Sequence, residues 1–352
     1  MKTLAKTYEE RIQLILKAKQ LWLFDEQESI KLNIEKTVLL GFERSDIMHS
    51  LRWIKDMCTE ENLRNWCIES AKNCNVTENI TVIFLHAGNL PLVGFQDVLI
   101  SVLAGVKYNG KLSKKDPYLL ASFIDVLNKV DTSLELRYSV DLDTFTNLKA
   151  DGLIFAGSTK GVNAILDKAL EIKCIHAQTS IYLRTAHFSL AYFNRFLDKD
   201  WEDLTESILR YNGAGCRSVA IIVSSSELNF SGCQLTNYVE AWLMKNKQEE
   251  KTLPQHIEYY KAYYESIGIK TQVWNSTLIV ETIPQRLISG LVYWIKGDEE
   301  TILLLQLRYG KAIQAVYGVG THSDFEPLYK AQWPDLNWKA DGIELLEEFT
   351  KC

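Results

Sequence analysis

Apolar residues fall at helical spacing through the first part of the chain. Tyr8, Ile12 and Ile15 sit at i, i+4 and i+7, and Ile47, Leu51 and Ile54 repeat that interval after Ser45, a candidate cap. The spacing predicts mostly helix over residues 5–70. The pattern then changes. ITVIFL (80–85) is uncharged and β-branched, as a strand buried on both faces should be. A turn with Gly88, Asn89 and Pro91 follows, then helical spacing from Val93 to Ala104, then a short strand near Lys111 and Leu112. Residues 118–130 read as helix. GLIF (152–155) predicts a strand, closed by AGST and opening into KGVNAILDKALEIK, and HFSLAYF (187–193) alternates. Strand and helix therefore alternate over 80–193, which predicts a parallel α/β sheet.

Beyond the acidic stretch Asp198–Asp203 a helix leads into GAGCRSVAIIV, where Ser218–Val223 reads as a buried strand. A helix near 235–245 is followed by NKQEEK, a loop. QVWNSTLIVETI, GLVYWI, ILLLQL and IQAVYG read as β-like, and DGIELLEEF as a short terminal helix. The change of pattern places a domain boundary near 198.

At 352 residues the chain suits about two domains of ~150 residues each and can bury a sizeable core. Its 47% hydrophobic and 24% charged residues are globular proportions, which argues against disorder and fibrous repeats. A net charge of −6 with no basic stripe argues against a nucleic-acid partner. No apolar run approaches the roughly 18 residues of a membrane span, and the N-terminal MKTLAKTYEERIQLILKAK reads as an amphipathic helix rather than a signal peptide. Seven cysteines, with no CxxC pair and no metal-ligand spacing, suit a reduced compartment and no metal; a cytoplasmic location is the expectation.

Four strings carry candidate chemistry. In YNGAGCRSVAIIV, Gly213, Ala214 and Gly215 let backbone N–H groups approach a ligand, so Cys216 is a candidate nucleophile beside oxyanion donors; a small buried cysteine is the competing reading. In HAGNLPLVG, the Asn89 amide is either an oxyanion donor or the cap of a helix with Pro91 in its first turn. FAGSTKG offers Gly157 and Ser158 at a helix start, suited to phosphate or to ordinary capping by Ser158 or Thr159. KLSKKD sets Lys111, Lys114 and Lys115 after a short strand, either as a solvated loop or as phosphate contacts. His86 and His187 read as structural histidines, and Cys58, Cys67 and Cys352 as inert.

Taken in order, HAGNLPLVGFQDVL, AGVKYNGKLSKKD, FAGSTKG, YNGAGCRSVA and KAQWPDLNWKADGIELLEEF resemble the LuxC-like fatty acyl-CoA reductases of the aldehyde dehydrogenase superfamily, from about residue 50 to the end. The resemblance implies an α/β, aldehyde dehydrogenase-like fold: a helical N-terminal region (1–72), a Rossmann-like nicotinamide cofactor domain (73–198), a catalytic cysteine domain (199–320) and a C-terminal segment (321–352) packing back on the cofactor domain. It implies Cys216 as acyl-accepting nucleophile, and a helix N-terminus and Arg217 are the expected means of lowering its thiol pKa. It implies Asn89 in the oxyanion hole, Lys111 at the adenosine ribose, Ser113 and Lys114 in the same cofactor-binding string, and Gly157 and Ser158 against the cofactor phosphates.

Two details refine that expectation. Oxidative relatives carry a water-activating glutamate some thirty-odd residues before the cysteine, and no acidic residue lies between Glu171 and Asp198 here. Thiolate exchange with coenzyme A needs no such base, so reduction of an acyl thioester is favoured over oxidative aldehyde dehydrogenation. NAD-using relatives often read Lys-Pro-Ser-Glu where this chain reads Lys111-Leu112-Ser113-Lys114, and an ammonium in place of a carboxylate favours NADPH over NADH. Lys330, His187 and Ser218 depart from the frequent Gly, Arg and Asn of the family. The implied partners are an acyl-CoA or acyl-carrier thioester and an acyl-activating synthetase or transferase, with a homo-oligomer left open. A cysteine acyl carrier without redox activity and a non-catalytic binding protein are the readings from other classes.

Overall fold

The strand β1 (Thr81–Leu85) shows why this sequence builds a layered sheet. Its residues alternate between two cores. Val82 and Phe84 face one, shared with the N-terminal helices, and Ile83 and Leu85 face the other. Burying a side chain of this size contributes about 1.5–3 kcal/mol, so an uncharged five-residue strand is held from both sides. The computed structural model describes residues 7–70, 80–194, 197–224, 234–319 and 325–350, and the chain divides into two units, 1–185 with 335–352 and 186–334.

The first unit begins with four helices, α1 (Tyr8–Gln20), α2 (Gln27–Leu39), α3 (Arg44–Met57) and α4 (Glu60–Ser70). The helical expectation holds over the described residues from Tyr8 to Ser70, with Glu43 rather than Ser45 in the cap position of α3. Then β1, α5 (Phe95–Ala104), β2 (Lys107–Lys111), α6 (Leu119–Val130), β3 (Leu136–Ser139), β4 (Ala150–Ala156), α7 (Val162–Glu171) and β5 (Ile175–Arg184) follow. The five strands are all parallel, in the order β3-β2-β1-β4-β5. Residues of α1–α6 cover one face, and α7 with Leu142 and Phe145 covers the other. Because α1–α4 share the core of α5 and α6, the N-terminal helices are part of this unit rather than a separate region.

The second unit holds β6 (Phe188–Phe193), α8 (Asp198–Leu209), β7 (Val219–Ser224), α9 (Gln234–Asn246), α10 (Gln255–Ser266), β8 (Thr271–Trp274), β9 (Thr277–Val280), β10 (Leu291–Lys296), α11 (Glu299–Tyr309) and β11 (Ile313–Val319). Its six strands run β11-β6-β7-β10-β9-β8, parallel except for the β8–β9 hairpin at one edge. Helices α8 and α9 pack on one face through Trp201, Leu204 and Trp242, and α10 and α11 on the other through Ile257, Tyr264 and Ile302. The last helix, α12 (Leu345–Thr350), returns to the first unit, where Leu346 and Phe349 join its core.

Three sequence expectations change. ILLLQL is not β-like but the body of α11: Asp298 and Thr301 form a capping box, and Ile302 and Leu305 are buried while Leu303, Leu304 and Leu307 are exposed. The domain boundary lies at Thr185/Ala186 and not near 198, because HFSLAYF pairs with β7 and β11 and the acidic stretch is simply the start of α8. The C-terminal segment rejoins the first unit from Asp335 rather than 321, because 326–332 bond to the turn before β7. Cys352 lies outside the described residues. No helix among the described residues is long and apolar enough to cross a membrane.

Candidate functional site

In the first unit the strand order reverses at β1: the chain steps outward to β2 and β3 and then returns to β4 on the other side. Open parallel sheets bind ligands at the carboxyl ends of strands flanking such a reversal. Gly88 and Asn89 follow β1 there, Gly157 and Ser158 follow β4, and Lys111 ends β2 with Ser113–Lys115 just beyond it. Six of the residues singled out from sequence, Asn89, Lys111, Ser113, Lys114, Gly157 and Ser158, thus lie along one edge of one sheet.

The turns after β1 and β2 touch closely. A Cβ on Gly88 would stand 1.9 Å from Ser113 Oγ and 2.6 Å from Ser113 Cβ. Asn89 is exposed and caps no helix, since α5 starts at Phe95 with Gly94 at its cap; the capping alternative is set aside. Lys111 is half-buried, and its ammonium pKa is lowered first by burial and then by the like charge of Lys114, with Asp141 opposing. Ser158 is exposed at the start of a short 3-10 turn and makes no side-chain cap bond. The glycines at the ends of β1 and β4 lie close against side chains, Gly88 against Ser113 and Gly157 against the Phe155 ring.

A buried polar chain supports this edge. His86 Nε2 meets the Tyr108 hydroxyl at 2.7 Å, His86 Nδ1 lies 3.5 Å from Asp97, and Arg184 bonds the other Asp97 oxygen at 2.7 Å. Burial pushes the His86 pKa down to about 4 and the Tyr108 pKa well up. Near neutral pH Tyr108 therefore donates to an uncharged ring whose remaining proton faces Asp97. Next to it, Asp116 accepts from the Leu92 N–H at 2.7 Å and fixes the same turn, with its pKa raised by burial. Sequence reading took His86 as structural and did not single out Tyr108, Asp97 or Arg184. They lie in three different elements, β2, α5 and β5, and no local spacing links them to one another or to His86.

Cys216 belongs to the second unit, in the turn between α8 and β7. Tyr211, Asn212 and Gly213 all take left-handed backbone angles, with φ of 58°, 52° and 67°. Two successive non-glycine residues there are uncommon and need support. Lys251 and Ser276 donate to Asn212 Oδ1, and Ser289 donates to the Asn212 carbonyl. Of the cysteines among the described residues, Cys58, Cys67 and Cys174 are buried, their thiol pKa values pushed up by burial to about 12, 12 and 11. Cys216 alone is partly exposed. The buried-cysteine reading suits the other three and not this one.

The expected activation of Cys216 by a helix N-terminus does not hold, because a strand follows the turn. Arg217 is also committed elsewhere. Its guanidinium donates to Glu326 at 2.8 Å and to the Lys330 and Ala331 carbonyls at 3.0 and 3.3 Å. Ser189 Oγ donates to the Cys216 carbonyl at 3.0 Å, and Gln332 donates to Ser218 Oγ at 3.3 Å. His187 makes an ordinary backbone bond to Ala312. No cluster of three metal-ligating side chains occurs among the described residues.

Comparison with known proteins agrees with this arrangement. A family model described as acyl-CoA reductase (LuxC) matches residues 2–256. No curated protein matches the chain. Among solved structures, the chain is similar to aldehyde dehydrogenase 21 from Physcomitrella patens, in complex with the reaction product succinate. Identity is 14% and the TM-score 0.62, over 95% of this chain and 77% of that one. An aldehyde dehydrogenase from Mycobacterium tuberculosis complexed with NAD+ gives 14% identity and a TM-score of 0.64, over 98% and 84%. At such identities the likeness shows the fold, which is aldehyde dehydrogenase-like.

Proposed function

The chain belongs to the acyl-CoA reductase (LuxC) family, and from that premise we propose that it reduces an acyl thioester to the aldehyde through an acyl group carried on Cys216, with NADPH as reductant. At the coarser level it is an enzyme of acyl-CoA reductase or aldehyde dehydrogenase type. The observation that carries the finer reading is the partly exposed Cys216 in a supported left-handed turn, where the other three described cysteines are buried.

The Cys216 thiolate adds to the thioester carbonyl, a new carbon–sulfur bond forms, and the bond to coenzyme A breaks with the coenzyme leaving as thiolate. The Asn89 amide and the Cys216 N–H are the proposed oxyanion donors, and removing one such donor costs about 3–4 kcal/mol of transition-state stabilisation. A nicotinamide cofactor, when bound, supplies the hydride that the reduction needs. Gly157 and Ser158 are the proposed contacts to its phosphates, and Lys111 and Ser113 to its adenosine ribose. Lys114 favours a 2′-phosphate over a bare ribose hydroxyl. Cys216 leaves as thiolate once the acyl carbon is reduced.

The absence of any acidic residue from Ile172 to Leu197 supports reduction over oxidation, since the water-activating carboxylate of oxidative relatives is missing from the expected stretch. The test is NADPH consumption with a panel of acyl-CoA thioesters and trapping of the aldehyde. Oxidation that depends on both acyl-CoA and Cys216 supports the proposal. Acyl transfer to the protein without NADPH or NADH oxidation would replace it with an acyl-carrier role.

A further inference from the structure

Two buried arginines bracket the turn that carries Cys216. Arg210, at its start, is 2% exposed; its guanidinium makes two bonds to Glu206, at 2.7 and 3.0 Å, and one to Asn246 at 2.7 Å, and lies 5.1 Å from the Trp242 ring. Arg217, immediately after the cysteine, is 7% exposed and bonds Glu326, Lys330 and Ala331 while lying 5.6 Å from the Tyr317 ring. The two ends of the turn are thus tied to different parts of the unit, one to α8 and α9 and the other to the segment after β11. Between them stand the left-handed residues Tyr211 and Asn212.

We propose that Arg217 is a positioning residue for Cys216, acting with Glu326 and the 330–331 carbonyls as a clamp that holds the thiol in its reactive orientation, and is not the cation that activates it. This rests on the reading of Cys216 as nucleophile. Its warrant is geometric. A planar fork that spans a carboxylate and two carbonyls fixes direction, and a lysine reaching from the same place cannot reproduce it. The carboxylate also cancels the guanidinium charge, so little net field is left to act on the thiol. Arg210 with Glu206 is the matching anchor on the other side.

The experiment compares wild type, Arg217→Lys, Arg217→Gln and Glu326→Gln by two readouts. One is the rate of acyl transfer from an acyl-CoA to the protein, followed by intact mass without cofactor. The other is the pH dependence of Cys216 alkylation by iodoacetamide. Misplacing a reacting group by about 1 Å can cost roughly a hundredfold. The clamp predicts an acylation loss of about ten- to a hundredfold in both Arg217 variants, lysine giving no rescue, with the alkylation midpoint of Cys216 unmoved. Glu326→Gln, whose partly exposed side chain tolerates the change, follows in the same direction. Full activity in Arg217→Lys together with a midpoint raised by a unit or more in Arg217→Gln would overturn the proposal and make Arg217 the activating charge. If the wild type takes up no acyl group, the reductase reading fails, and the alkylation arm still decides whether the turn depends on Arg217.

Discussion

Gly88→Ala tests whether the ends of β1 and β2 form one packed surface. The added methyl would stand 2.6 Å from Ser113 Cβ, where carbon atoms in contact lie about 3.5–4.0 Å apart. Turning the Ser113 hydroxyl aside relieves the 1.9 Å contact but not this one, because Cβ is fixed to the backbone. The two turns must therefore part by about 1 Å, straining the bond from the Lys115 N–H to Ser113 Oγ. Overpacking of this kind costs about 1–3 kcal/mol, and the lower entropy of an unfolded alanine returns about 0.4–1. Gly88 is not in the left-handed region, so no backbone strain is added. The net is roughly 1–2 kcal/mol, or a fall of about 3–6 °C in the melting of a unit of about 200 residues. Thermal unfolding and NADPH titration read the two consequences, lower stability and weaker cofactor binding. Ser113→Gly in the same chain removes both colliding atoms and should restore the melting temperature. A Gly88→Ala protein that melts like wild type, or one that Ser113→Gly does not rescue, would refute the reasoning.

Other outcomes follow from the same edge of the sheet. His86 has a pKa of about 4 in the folded chain against roughly 6.5 when unfolded, so only the unfolded chain binds its proton between those values. Stability should fall as pH drops from about 6.5 towards 4, by up to about 3 kcal/mol, and urea titrations of His86→Asn should lose that part of the slope. Lys114→Glu should shift the preference from NADPH towards NADH by about fivefold or more, the scale of a solvent-exposed charge contact of about 1 kcal/mol; unchanged cofactor constants would remove Lys114 from the site. Asn89→Ala should lower the acylation rate by about 10²–10³ while leaving the melting temperature in place, because the side chain is exposed.

Much of the architecture was legible because burial on two faces leaves a local mark. ITVIFL, GLIF and SVAIIV are uncharged apolar runs, and each falls in an inner strand. The edges were not. LRYS and IHAQTSIYLR mix polar residues among apolar ones and are buried at few positions, so neither β3 nor β5 reads as a doubly buried run. ILLLQL misleads because a run of apolar residues carries no period; the Asp298–Thr301 capping box was the signal that marks a helix. At the site, Cys216, Asn89 and the lysines announce themselves by short strings. Their supports do not, since Tyr108 and Arg184 lie far from His86 in sequence, as Glu326 does from Arg217, and their roles exist only after folding.

The central claim is that Cys216 accepts the acyl group. Incubating the protein with an acyl-CoA in the absence of reductant, and weighing the intact chain and its peptides, tests it most directly. The account predicts one acyl mass on the peptide that contains Cys216, none on Cys216→Ala, and loss of that mass as aldehyde when NADPH is added. An acyl group on another residue, or equal labelling of Cys216→Ala, would contradict it.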